Sequence, residues 1–207
     1  MATEKQMNDL IQWYFDNWYQ ITLLALNGFR DVYDCAYAHY YKTYPKGEER
    51  YICDQHQQRV GNKNLEAFAK VIDANKDKLK DVGDFEGLYS MIKNYNRSFN
   101  VEEIECIGEL AKYDCAARIS WLDEYNHLRP EALVYIHAGV YKGATLLFKH
   151  GCIVQKPRNN STLPITTFDN KLFSKLFEKA TCKMSKSMIM ESFLCNITKD
   201  GSPIHNW

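Results

Sequence analysis

The sequence predicts an all-α fold: a single-domain multi-helix bundle of about six to eight helices around a central antiparallel helical hairpin. Two observations point there. Apolar residues recur every three to four positions through most of the chain, which gathers them on one face of a helix. Residues 100–150 then look like two helices joined by a short loop, with small residues available for close approach. With 207 residues, 45% of them apolar and 14% aromatic, there is enough material for a full core in one domain and no case for wholesale disorder.

The most aromatic segment is 8–44. Phe29, Tyr33, Tyr37 and Tyr41 recur every fourth residue, and Ile11, Phe15, Trp18 and Leu26 keep a similar period upstream. Gly28 is a natural break between two helices, and Pro45-Lys46-Gly47 ends the second with turn chemistry. Residues 48–64 read as a polar connector. Leu65, Phe68, Ala69, Ile72 and Leu79 form the next helical face. Asp84 stands as the N-cap of a short helix carrying Leu88, Met91, Ile92 and Tyr95.

In the central hairpin, Asn100 is the expected N-cap, with Glu102 and Glu103 in the first turn where the helix dipole favours anions. Ile104, Ile107, Ala111, Cys115 and Ile119 mark the apolar face. Residues 126–129 form the loop, and Pro130 sits at the first position of a second helix through Leu133, Ile136, Val140 and Leu147. Gly139 and Gly143 together cost about 2 kcal/mol of helix propensity relative to alanine, so close packing is expected there. Residues 155–163 read as a loop, residues 163–165 as a short extended piece. Helical patterning resumes with Phe168, Leu172, Phe173 and Leu176, then Met188, Ile189, Phe193 and Leu194. Residues 201–207 read as a loose tail that Ile204 and Trp207 tie down.

Lys+Arg and Asp+Glu both total 26, so no argument rests on total charge. The neutral sum hides a segregation. Residues 142–199 hold ten Lys/Arg against three acids, whereas residues 1–141 hold 16 bases against 22 acids. Lys171, Lys175, Lys179 and Lys183 recur every four residues and form one cationic stripe on a helix, with Lys186, Lys156 and Arg158 close in sequence. Such a stripe suits a phosphate backbone, whose binding is mainly electrostatic. Neutralisation by the protein's own acidic half, or by an acidic protein partner, is the alternative use of the same charges. The expected function is therefore a non-enzymatic binding protein with nucleic acid as its partner. A small interaction or inhibitor protein is a further alternative.

Two smaller constellations carry chemistry. Cys35-x3-His39 and Cys53-x2-His56 offer four N/S ligands in two close pairs, the donor set of tetrahedral zinc. Asp114 and Arg118, four apart on one helix, make an ion pair, and could line a polar cleft with His137 across the hairpin. Tyr33, Tyr37 and Tyr41 are either core or a surface that stacks bases or a planar ligand.

The stretch Tyr135-Ile136-His137-Ala138-Gly139-Val140-Tyr141-Lys142-Gly143-Ala144 resembles the hairpin of helix-hairpin-helix DNA-binding modules in its Gly139-Val140 step followed by Lys142, with Tyr141 where the hairpin has its second glycine. In the glycosylase/lyase branch of that family a lysine near the hairpin forms a Schiff base and a later aspartate assists. The resemblance implies those parts for Lys142 and Asp169, and a nucleic-acid-processing enzyme with a site near His137 and Lys142 as the catalytic alternative. No phosphate-binding glycine loop, serine nucleophile elbow or zinc-protease helix is visible.

Seven cysteines, an odd number with irregular spacing, read as reduced thiols of a cytoplasmic protein. Cys106 and Cys115, beside alanines in a helical stretch, read as small buried apolar groups. The first residues lack the charged-then-apolar pattern of an export signal, and no apolar run approaches the roughly 20 residues of a membrane span, so no membrane partner is expected.

Overall fold

The computed structural model describes residues 2–55, 57–180 and 184–207. In chain order the elements are α1 (Glu4–Tyr14), a π-helical stretch (Phe15–Tyr19), α2 (Gln20–Asn27), α3 (Val32–Tyr37), β1 (His39–Thr43), β2 (Glu49–Cys53), α4 (Asn62–Ala74), α5 (Lys76–Lys80), α6 (Phe85–Lys93), α7 (Tyr95–Ser98) and α8 (Glu109–Ile119). A 3-10 helix (Asp123–Leu128), β3 (Leu133–Ile136), α9 (Ala138–Lys149), β4 (Ser161–Pro164), a 3-10 turn (Ile165–Thr167), α10 (Ser174–Lys179), α11 (Lys186–Asn196) and a last 3-10 turn (Pro203–Asn206) complete it.

The all-α expectation is overturned: the fold is mixed, mostly helical, with two small antiparallel two-stranded sheets. In the first sheet, His39↔Cys53 through Thr43↔Glu49 pair across the turn that Pro45-Lys46-Gly47 makes. Lys46 and Gly47 both adopt positive φ there, which closes the hairpin tightly. The period of four through Tyr41 is therefore not one helix. Ala38 takes the left-handed conformation (φ 58°) and stops α3, and the chain continues extended. In the second sheet Leu133↔Pro164 through Ile136↔Ser161 pair. The run Leu-Val-Tyr-Ile satisfies either period over four residues, and pairing with the extended piece at Ser161–Pro164 decides for strand.

The chain forms two compact units, Leu23–Arg129 and a unit made of Met1–Thr22 with Pro130–Trp207. They are called here the middle and the terminal unit. The expected central hairpin is absent as such: α8 belongs to the middle unit, α9 to the terminal one, and a 3-10 helix and β3 stand between them. Asn100 does not cap a helix either. It adopts φ 55° just beyond α7, and α8 begins only at Glu109.

In the middle unit α3 packs against α4 and α8, and α6 against α8. Asp31 caps α3 by accepting from the Asp34 N–H at 2.8 Å, and Asp84 caps α6 by accepting from the Gly87 N–H at 2.8 Å. Leu65, Phe68, Ala69 and Ile72 of α4, Leu88 and Ile92 of α6, Tyr95, and Cys115 and Ile119 of α8 are all buried core.

In the terminal unit α9 packs on α11 through its small residues. A Cβ placed on Gly143 would lie 2.0 Å from the Leu194 carbonyl oxygen, and one on Gly139 would lie 2.9 Å from Cys195 Sγ. The close packing expected of these glycines is present, with α11 as the partner. Ser185 caps α11 by accepting from the Met188 N–H and donates its own hydroxyl proton to the Pro130 carbonyl. Tyr14 of α1 is fully buried, donates to Ser192 Oγ at 2.7 Å and meets Phe193 edge-on. The tail is docked: Ile204 is buried and Trp207 packs on His150.

Among the described residues no helix is long and apolar enough to cross a membrane. Cys115 is buried as expected, whereas Cys106 is exposed in a loop at φ 65°, because α8 starts after it.

Candidate functional site

The cationic residues of the terminal unit fall into two groups. Lys171 pairs with Glu4 at 3.1 Å, Lys186 with Asp169 at 3.1 Å, and Lys179 donates to Gln12 Oε1. Lys142, Lys149, Lys156, Arg158 and Lys175 are exposed and make no ion pair among the described residues. Of the four lysines expected on one stripe, Lys175 and Lys179 lie in α10, Lys171 lies in the turn before it, and Lys183 lies outside the described residues. Part of the stripe is thus held by the unit's own acids, and part faces solvent.

The catalytic set is divided. His137 is the residue before α9 and Lys142 lies on the exposed face of that helix, both in the terminal unit. Asp169 of the same unit is the partner of Lys186. Asp114 and Arg118 belong to α8 of the middle unit, where the ion pair expected between them is present at 3.7 Å. A shorter one, 2.9 Å, joins Arg118 to Asp54 just after β2. Arg118 is 5% exposed; its guanidinium also donates to the Cys35 carbonyl and lies over the Phe29 ring. Gln57 donates to Asp114 at 2.6 Å. Burial opposes the Arg118 charge, but Asp54 and Asp114 more than offset it, and its pKa stands above the ordinary arginine value. This arrangement ties α8 to α3 and the end of the hairpin, a structural task that occupies both side chains.

Among the described residues no group of three His, Cys, Asp or Glu side chains gathers for a metal. His39 and Cys53 are cross-strand partners, but Cys35 is fully buried in α3 and His56 lies outside the described residues. Burial pushes the Cys35 thiol well up and the neighbouring Cys115 thiol up to about 12. His39 stacks on Tyr37 at 3.9 Å and 15°, with its Nδ1 bonded to the Tyr37 carbonyl.

That stack belongs to a continuous aromatic strip on the middle unit. Tyr33 touches Tyr37 (ring centroids 5.6 Å apart), His39 touches Tyr51 (5.2 Å), and Tyr51 touches Tyr41 (4.7 Å). The Arg30 guanidinium closes the row, 3.6 Å from the Tyr41 centroid, and its Nη2 donates to both Glu49 oxygens at 2.9 and 3.0 Å. Tyr51 is anchored by donating its hydroxyl proton to Asp34 at 2.6 Å. Asp34 also accepts from the Arg30 N–H. Burial raises the Asp34 pKa and those two bonds counteract it; burial and the Asp34 carboxylate together raise that of Tyr51. The sequence marked Tyr33, Tyr37 and Tyr41 as one face but not Arg30 or Tyr51, and it placed His39 in a metal set. The signal that finds Tyr51 is the turn at Lys46-Gly47: read as a hairpin, it sets Tyr41 opposite Tyr51.

In comparisons with protein-family models, curated proteins and solved structures, nothing matches this chain.

Proposed function

We propose that the protein binds nucleic acid without catalysing a reaction on it, meeting phosphates through the basic residues of the stretch 142–199. The observation that carries this reading is the set of exposed cations without ion pairs among the described residues: Lys142, Lys149, Lys156, Arg158 and Lys175. An exposed ammonium is a strongly hydrated point charge, suited to a chain of phosphates that asks for charge rather than for a fixed fork geometry. Paired lysines such as Lys171 and Lys186 contribute less, because Glu4 and Asp169 already neutralise them. The lone arginine in this group gives little means of reading base edges, so the binding is expected to be weakly selective for sequence.

The test is the affinity of the purified protein for a generic duplex and a single strand over a range of salt concentrations. If all five cations meet phosphates, log affinity falls against log salt with a slope of about −4.5 for a duplex. The combined substitution Lys156→Glu, Arg158→Glu and Lys175→Glu should weaken binding at least tenfold at low salt and flatten the slope. Absence of binding at low salt, or binding that ignores both salt and the triple substitution, would overturn the proposal.

A further inference from the structure

Residues 132–168 contain no Asp or Glu, and they hold Lys142, Lys149, Lys156 and Arg158, all exposed and without ion pairs among the described residues. Lys142 and Lys149 both stand on α9. Seven residues separate them, nearly two turns, so they leave the same side of the helix about 10 Å apart along its axis. Ala138, one turn before Lys142, is exposed on that side, and Thr145 lies half-buried between the lysines. We infer that this outer face of α9 docks in the major groove of a B-form DNA duplex, with Lys142 and Lys149 on the phosphate rows that border it. This step rests on the nucleic-acid reading above.

The major groove of B-form DNA is about 12 Å wide and admits an α-helix. Lysines two turns apart on a face that is otherwise small and uncharged can reach both of its edges. The opposite face of α9 is fixed. Gly139 and Gly143 bring it against α11, where the Leu194 carbonyl leaves no room for a methyl group at position 143, so the lysines stand on a rigid element. The β3–β4 pairing adds a cation. Ile136 pairs with Ser161, and Ser161 Oγ donates to the Arg158 carbonyl at 2.6 Å, which sets the Arg158 turn beside the start of α9. The acid that α11 brings, Glu191, is turned to the Tyr135 N–H of β3 at 2.9 Å. Two other nucleic-acid forms fit less well. A single strand is gripped by exposed rings, whereas the aromatic side chains of α9, Tyr141 and Phe148, are half-buried. An RNA duplex has a major groove too deep and narrow for side chains to enter.

The full chain is titrated at low salt with a DNA duplex, one of its single strands and the RNA duplex of the same sequence. The wild-type protein is expected to bind the DNA duplex about tenfold more tightly than either of the others. Lys142→Gln combined with Lys149→Gln should remove most of that preference. Single-strand affinity should stay within about threefold, because Lys156, Arg158 and Lys175 still meet phosphates. A DNA duplex whose cytosines carry glucosylated hydroxymethyl groups, which fill the major groove, should bind the wild-type protein no better than the single strand. Equal wild-type affinity for the DNA duplex and either other form, a preference that survives the double substitution, or one that ignores glucosylation overturns the groove docking while leaving phosphate binding intact. Binding of none of the three forms at low salt overturns the nucleic-acid reading itself.

Discussion

Single atoms decide how α9 and α11 meet. Alanine in place of an internal helical glycine normally gains about 1 kcal/mol. At Gly143 the added methyl would meet a backbone oxygen at 2.0 Å, which cannot turn aside, so Gly143→Ala should lose about 2–3 kcal/mol in urea unfolding. At Gly139 the obstacle is the end of a side chain, Cys195 Sγ at 2.9 Å, and Gly139→Ala should cost far less. The Tyr51–Asp34 pair gives a pH prediction at the same scale. Burial raises the Asp34 pKa above its unfolded value. Its contribution to stability is thus full below the unfolded pKa and lost as pH rises through the folded one. The Tyr51 hydroxyl limits that loss by donating to the carboxylate. Tyr51→Phe should therefore cost about 1–2 kcal/mol at neutral pH and less in acid, a gap measurable by unfolding at several pH values.

Among the elements, the β1–β2 hairpin was hidden by a coincidence of spacing. Tyr33, Tyr37 and Tyr41 obey a period of four, but His39, Tyr41 and Thr43 equally obey a period of two. A fully buried alanine, Ala38, in the left-handed conformation separates the two regimes, and alanine carries no sequence signal for that role. The hairpin is tied to α8 by Arg118 through Asp54. Arg118→Ala leaves two carboxylates without their cation and opens space over Phe29, so a loss of about 3–5 kcal/mol is expected in denaturant unfolding. Arg118→Met, which refills the space but not the charge, should recover a part of it. Other elements were plain from the text: the Asp84 cap, the break at Gly28 and the apolar face of α4 all stand where local chemistry puts them.

At the scale of the whole molecule, charge is distributed unevenly along the chain, and pairing is distributed unevenly among the charges. Counting residues revealed a basic stretch at 142–199; it did not reveal that Glu4, from the far end of the chain, sits on Lys171. The same holds for the candidate sites. The period of four singled out three of the strip's rings but put them on one helix, whereas Tyr41 lies in β1; Arg30, His39 and Tyr51 join the strip only through strand pairing and a guanidinium laid over Tyr41. The zinc set was assembled from spacing along the chain and the His137 cleft from the expected hairpin, and neither carries information on burial, which is complete at Cys35.

By itself the sequence determined the apolar faces of several helices and two of their ends, at Gly28 and Asp84, that the core is apolar and aromatic, and that positive charge collects late in the chain. These follow from interactions within a few residues: caps, breakers, periodicity and composition. The tertiary structure alone decided that four short runs pair as strands, that Gly139 and Gly143 face α11, and which of the described lysines carry an ion pair. The physical reason is common to all three. A short apolar run, a glycine and a lysine each permit several environments at similar local cost, and the choice among them is made by partners distant in sequence.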